Sequence, residues 1–209
     1  MFYTALFYFL VALLLALTEI ESEGKYGWAE KTETFAKKTK RNIFSLYSGA
    51  TVVTGYHLLL GTFLFLFMHV IYFFGVEFNI VTELILISTF IIWTLFWDFL
   101  WFVLNPHYGW KNFTKEKVWW FQEDYWVFNK LPLKYFVQLG IAIFLIACAS
   151  VFSGEHNLYI QQVLLINYLL IFTILAHFVI RPIYHKFYWR MNRQSNVMSR
   201  SKPAKQAVI

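Results

Sequence analysis

Five apolar stretches, each close to the length of a membrane-spanning helix, dominate the sequence. They cover Met1–Ile20, Val52–Gly75, Ile80–Leu104, Tyr135–Phe152 and roughly Tyr159–Ile180. A helix needs about 20 mostly apolar residues to cross a bilayer. Only 14% of the 209 residues are charged, too few to cover a water-facing surface, and the high apolar content also excludes disorder. The sequence therefore predicts an all-α polytopic membrane helical bundle with five transmembrane helices.

The basic residues predict how this bundle is oriented. Every Lys and Arg lies within 25–41, 111–134 or 181–205, that is, between spans one and two, between spans three and four, or after span five. The two remaining connections contain none. Since basic loops stay in the cytoplasm, we expect an N-out/C-in, multi-pass protein of the cell inner (plasma) membrane.

Two cytoplasmic segments differ from the spans in composition. Residues 105–134 are rich in Trp, Tyr and Phe, and we expect 114–128 to form a short helix or irregular segment lying in the membrane interface. Residues 1–188 are predicted to be a single transmembrane domain, and 189–209 a flexible basic tail held near anionic lipid. The expected partners are the lipid bilayer and either a membrane protein or a second copy of the chain, with no nucleic acid.

A set of ionisable side chains is predicted to share one depth near the cytoplasmic face. With a rise of 1.5 Å per residue, Glu19, His57, Asp98 and His177 each lie roughly 6–10 Å inside the nearest span boundary. Glu23 shares a helix face with Glu19, at i+4. Ionisable groups within a span usually face the bundle interior and have partners. We therefore expect these residues to meet, with Asp98, His57 and Glu19 as catalytic groups.

The nature of that site is left open by the residue types. No Lys or Arg lies within a predicted span, so we expect Asp98 to be neutralised by histidine, by a proton or by a metal ion. A divalent zinc, iron or manganese ion would suit a set of Glu19, Glu23, His57, Asp98 and His177, which lacks thiols. Haem with His57 and His177 as axial ligands is the alternative. Without a metal, the same groups could act as general acid and base, and each taken singly has a structural interpretation.

A second pair of ionisable residues lies toward the opposite face. His69 of span two and Glu83 of span three flank a short connection, so their helices are neighbours in the chain. We expect a hydrogen bond between adjacent helices, in preference to a functional pair.

Three stretches carry a resemblance to known proteins. Glu19-Ile20-Glu21-Ser22-Glu23-Gly24-Lys25-Tyr26-Gly27-Trp28-Ala29-Glu30 resembles the E-I-E…G-K-x-G-W-A-E motif of a family of small uncharacterised prokaryotic integral membrane proteins. Thr54-Gly55-Tyr56-His57 and Asp98–Pro106 are similar to two further stretches of that family. The resemblance implies that Glu19, His57, Asp98 and Asn105 belong together, and it implies no activity. Trp119-Trp120-Phe121 stands where the resemblance leads us to expect a Trp-His pair.

Three classes of function fit these features. The first is a metal-dependent or acid/base membrane enzyme that acts on a lipid-like substrate. The second is an accessory or structural subunit of a larger membrane complex, and the third is a small proton- or ion-coupled transporter. H-E-x-x-H, Walker A, G-x-G-x-x-G and G-x-S-x-G motifs are absent from the sequence, which disfavours the enzyme classes that use them.

Overall fold

The computed structural model describes residues 1–38 and 48–201 and contains five helices long and apolar enough to span a membrane. The helices are α1 (Phe2–Glu23), α2 (Gly55–Met68), α3 (Ile80–Leu104), α4 (Leu133–Ser153), α5 (Asn157–Leu175) and α6 (Arg181–Ser201). A 3-10 turn, His69–Phe74, extends α2, and a π-helical turn, Ala176–Ile180, joins α5 to α6. The predicted all-α class and the number of apolar spans are confirmed.

Helix α3 is the centre of the bundle, with the bounds that the sequence predicts. It packs against α1 and α4. The face of α1 toward the bundle carries three fully buried alanines, Ala5, Ala12 and Ala16, and small residues let helices approach closely in a membrane. Polar contacts hold α3 on both sides, since Trp93 Nε1 donates to Tyr8 O over 2.9 Å and Ser88 Oγ donates to Ala142 O over 2.9 Å.

Helix α2 is packed much less closely than the others. Only Gly55 and Leu64 are buried along its α-helical length, and Leu58 and Phe65 remain exposed. A cleft therefore separates α2 from α3, and this cleft holds the site described below.

The last span continues beyond the membrane-length helix. The π turn lies just before Pro182, whose missing N–H interrupts the regular hydrogen-bond ladder of a helix. Beyond Pro182 there is no Gly or Pro before Ser201, and the helix continues to Ser201, so it includes 189–201 of the predicted flexible tail. The remainder of that predicted tail, 202–209, lies outside the described residues, as does 39–47.

The aromatic segment, residues 105–134, packs onto the bundle through several of its rings. Phe113, Trp120 and Phe121 are buried against α3, while Tyr125 and Phe128 are exposed. A short antiparallel pair, β3 (Trp126–Val127) with β4 (Leu131–Pro132), closes this segment just before α4. A second pair, β1 (Ala36–Lys38) with β2 (Val52–Thr54), leads into α2. Each pair thus lies directly before the first turn of a spanning helix, α4 or α2.

Candidate functional site

A cavity of about 420 Å³ fills the cleft beside α2, and its two ends differ in chemistry. One end is polar and is lined by Glu19, Glu23, His57, Asp98 and Lys134. The other runs along α2 and α3 and is apolar, with Leu58, Leu60, Phe65 and Phe90 in its wall. The volume is that of a small-molecule site.

Three of the predicted site residues converge at the polar end. Ligand atoms of Glu19, Glu23 and His57 lie within 4.8 Å of one another. His57 Nε2 is 3.4 Å from Glu23 Oε1 and 3.9 Å from Glu19 Oε1. Both carboxylates are buried, and they share one face of α1 because they are four residues apart. These atoms are close enough to bind one ion together.

The imidazole of His57 is held in position from both sides. Thr54 caps the N-terminus of α2, and its Oγ1 accepts from His57 N and contacts His57 Nδ1 at 2.6 Å. The Trp28 indole stacks on the imidazole, with ring centroids 4.1 Å apart. A proton on Nδ1, donated to Thr54 Oγ1, leaves the Nε2 lone pair directed at the carboxylates, as metal-ligating histidines require.

The Glu23 carboxylate is fixed by the backbone that follows α1. Ala29 N donates to Oε1 over 2.7 Å, and Trp28 N donates to Oε2 over 3.1 Å. Gly27, Trp28 and Ala29 all have positive φ, of 67°, 49° and 53°. Trp28 and Ala29 adopt this uncommon conformation at an energetic cost, which surrounding contacts must offset. The conformation places both N–H groups against the carboxylate.

Side chains from α3 and the aromatic segment hold the same loop from the other side. Asn105 Nδ2 donates to Gly24 O over 2.9 Å, Tyr108 Oη to Lys25 O over 3.3 Å and Trp119 Nε1 to Tyr26 O over 3.0 Å. Three successive carbonyls are therefore bound by side chains. The loop has little freedom to move, so the ligand atoms of α1 are preorganised.

Replacing Asn105 tests how much these side-chain hydrogen bonds stabilise the loop. Asn105 is fully buried, and its Oδ1 also accepts from His107 N over 2.9 Å. Asn105→Leu leaves two partly buried backbone groups, Gly24 O and His107 N, without their side-chain partner and should lower the free energy of unfolding by about 1–3 kcal/mol. Thermal unfolding in detergent, followed by tryptophan fluorescence, measures the loss.

The matched control for that change is Asn167→Leu. Asn167 is exposed on α5, and its amide bonds only the carbonyl one turn back, on Val163. We expect little change in its unfolding midpoint. Equal unfolding midpoints for the two variants would contradict a stabilising role for the hydrogen bonds of Asn105.

Asp98 lines the cavity but has a basic partner, contrary to the sequence prediction. Lys134 Nζ lies 2.9 Å from Asp98 Oδ2, and Tyr135 Oη donates to the same oxygen over 2.5 Å. Helix α4 begins at Leu133, earlier than predicted, so Lys134 belongs to the first turn of a span and is buried. The expectation that no basic residue of a span neutralises Asp98 was wrong. Asp98 lies outside the three-residue ligand group, although its charge acts on Glu19.

His177 faces a different cavity from the other predicted ligands. It lines an apolar cavity between α3, α5 and the aromatic segment, and it is absent from the wall of the first cavity. His177 lies on the π turn. His57 and His177 consequently do not face one shared space, so neither cavity offers both axial ligands of a haem.

The pair at the opposite face forms as predicted. His69 Nε2 lies 2.9 Å from Glu83 Oε1, and Tyr72 Oη donates to Glu83 Oε2 over 2.9 Å. Neither residue lines the first cavity. The contact joins the end of the α2 span to the first turn of α3, as expected for a hydrogen bond that holds adjacent helices together.

The aromatic segment contributes titratable groups outside the spans. Burial raises the pKa of Tyr108 to about 12, with the charges of Glu30 and Glu23 acting in the same direction. Burial lowers the pKa of His107, as does the charge of Lys25. At neutral pH the Tyr108 hydroxyl therefore keeps the proton that it donates to Lys25 O.

Sequence reasoning missed four residues that shape this site: Thr54, Trp28, Lys134 and Tyr135. Thr54 had a readable signal, since Thr immediately before an apolar helical run is a common N-cap. Lys134 and Tyr135 come just after Pro132. Because Pro is common at the start of a helix, a helix that begins near this residue could have been expected. Trp28 carries no comparable signal, because its stacking on His57 depends on the fold of the loop.

The comparisons with known proteins assign the chain to no family. No protein-family model, no curated protein and no solved structure matches it. The geometry of the site is therefore the basis for the function proposed below.

Proposed function

We propose that this protein is a membrane enzyme whose Glu19, Glu23 and His57 hold a divalent zinc, iron or manganese ion. The observation that carries the proposal is the convergence of these three ligands at the polar end of an otherwise apolar cavity. Cavities with a few convergent polar groups are typical ligand sites.

The balance of charge supports a divalent cation. Among the described cavity residues, Asp98 and Lys134 form an ion pair and neutralise each other. Metal ligation takes the carboxylates of Glu19 and Glu23 deprotonated and the His57 imidazole neutral, so these ligands bring two negative charges to a bound ion. Uncompensated charges are costly where water is largely excluded. One divalent ion would bring the ligand group to neutrality, whereas a monovalent ion would not.

Three protein ligands also leave room for chemistry. Catalytic zinc sites commonly have three protein ligands and one open position for water or substrate. A metal bound here would supply a Lewis acid or an activated water. The Glu23 carboxylate and the His57 ring would keep their orientation through the backbone N–H groups and Thr54. The Asp98 carboxylate, which pairs with Lys134 and accepts a hydrogen bond from Tyr135, would act as a proton acceptor at the polar end of the cavity.

The shape of the cavity supports a lipid-like substrate. Its apolar arm lies between α3 and the sparsely packed α2, which can admit a hydrocarbon chain from the bilayer. The polar group of such a molecule would then lie beside Glu19, Glu23 and His57. We further propose the N-out/C-in orientation in the inner membrane, supported by the basic segments, which places this polar end near the cytoplasm.

Elemental analysis together with an absorption spectrum of purified protein tests the proposal. We expect about one zinc, iron or manganese ion per chain and no haem absorption band. Protein free of metal after purification and after metal addition would contradict the enzyme proposal. Co-purification of a fixed partner would then favour an accessory subunit, and ion flux in liposomes would favour a transporter.

A further inference from the structure

The second cavity has the shape of a binding site for a hydrocarbon chain, and the function proposed above does not use it. It has a volume of about 280 Å³ and is walled by α3, α5 and the aromatic segment. Most of its wall is aromatic or aliphatic, including Phe99, Phe102, Phe113, Ile174 and Phe178. A polar side chain, that of His177, also faces it.

A basic side chain lies at the end of this cavity. Arg181 follows His177 by one turn, so the two residues lie on the same side of the helix. Gly109 lines the cavity, and a Cβ built on it would lie 2.9 Å from Arg181 Nη2. The guanidinium therefore covers Gly109, at the rim of the apolar space.

Arg181 lacks the counter-ion that its position calls for. Within residues 1–38 and 48–201, no carboxylate forms an ion pair with it, and its buried Nε has no hydrogen-bond partner. Glu21 contacts α6, but its carboxylate accepts a hydrogen bond from Tyr184 and does not pair with Arg181. A partly buried cation without a partner is costly, and an anion from outside the chain would remove that cost.

We propose that this cavity binds one anionic phospholipid, with an acyl chain among the aromatic residues and the phosphate on Arg181. Two further observations favour this ligand. Arg181 is the first basic residue after the apolar run of the last span, the level at which lipid phosphates lie. His177 lies on a π-helical turn, a distortion found frequently at functional sites.

The guanidinium of Arg181 is well suited to bind a phosphate group. It offers a rigid fork of N–H donors that fits two phosphate oxygens at once. A zwitterionic lipid carries a compensating positive charge, so its net attraction to Arg181 is weaker. We therefore expect an anionic headgroup to bind about tenfold more tightly than a zwitterionic one.

Native mass spectrometry with defined lipids tests the proposal. The detergent-purified protein is titrated with phosphatidylglycerol or with phosphatidylcholine of the same chain length. We expect wild type to retain one phosphatidylglycerol, and Arg181→Gln to bind it about tenfold more weakly, at the level of phosphatidylcholine. Arg181→Lys should lie between them, because an ammonium makes a single-point contact. Arg190→Gln, on the exposed part of the same helix, should match wild type.

A second variant tests the hydrocarbon part of the site. Ile174→Trp replaces an aliphatic side chain in the cavity wall by a larger indole, at a position 48% exposed where the fold should tolerate it. It should weaken binding of both lipids while Arg181 remains in place. Unchanged lipid binding in Arg181→Gln and Ile174→Trp would overturn the proposal, and so would an equal loss in Arg190→Gln. Full displacement of the lipid by inorganic phosphate would overturn it in favour of a plain anion site.

Discussion

Glu23→Gln and His57→Ala should each weaken binding of a divalent metal by more than about 100-fold. Loss of a partner that merely orients a ligand costs 10–100-fold in metal affinity, and these changes remove a ligand itself. Glu23→Gln keeps the size of the side chain but loses the charge and one oxygen. The measurement is isothermal titration of purified, metal-stripped protein with zinc or manganese, followed by elemental analysis of the loaded protein.

Glu21→Gln is the matched control for these variants. Glu21 lies on the same helix as Glu19 and Glu23, is exposed and bonds Tyr184 away from the cavity. It should bind metal as wild type does. Lower pH should weaken binding in wild type, because protons compete with the metal for the same nitrogen and oxygen atoms. Equal affinities in Glu21→Gln and Glu23→Gln would contradict the ligand assignment.

The number of apolar spans and part of the site could be predicted because both depend on simple spacing. Apolar length is a local property, so α3 could be placed from Ile80 to Leu104 by sequence alone. Glu19 and Glu23 share a face at i+4, and His57 enters the same layer because depth can be counted from a span boundary. Depth limited the candidates to four residues, of which Glu19 and His57 meet, and the i+4 spacing added Glu23 to them.

Depth gives no information about the direction of a side chain around its helix. The cavity that each side chain faces could therefore not be predicted. His177 has the predicted distance from its span boundary, but it lies on the π turn and lines the second cavity. Lys134 was excluded from the spans by its charge alone. Its apolar stem lies in the core, and its ammonium group contacts both Asp98 and the Phe121 ring, at 3.8 Å from the ring centre. Such a residue needs a tertiary partner, which no local pattern shows.

Lys134→Met should be the most destabilising single change in the cavity. It leaves Asp98 without the ammonium group that lies 2.9 Å from its carboxylate. Breaking a buried ion pair by removing one partner costs about 3–5 kcal/mol. The Asp98 side chain is 27% exposed, so we expect a loss near the lower end, about 3 kcal/mol. Thermal unfolding in detergent, followed by tryptophan fluorescence, reports the change.

The double variant Asp98→Asn with Lys134→Met separates charge from packing. It removes both charges, keeps an oxygen for Tyr135 Oη and preserves the apolar stem at position 134. Buried pairs replaced as a unit often lose little stability, so the double variant should recover most of what Lys134→Met loses. Lys117→Met, at an exposed position of the aromatic segment, should leave the unfolding midpoint unchanged. A Lys134→Met midpoint equal to that of Lys117→Met would mean that Asp98 needs no counter-charge, and the charge balance that favours a divalent ion beside Glu19 and Glu23 would then lose its basis.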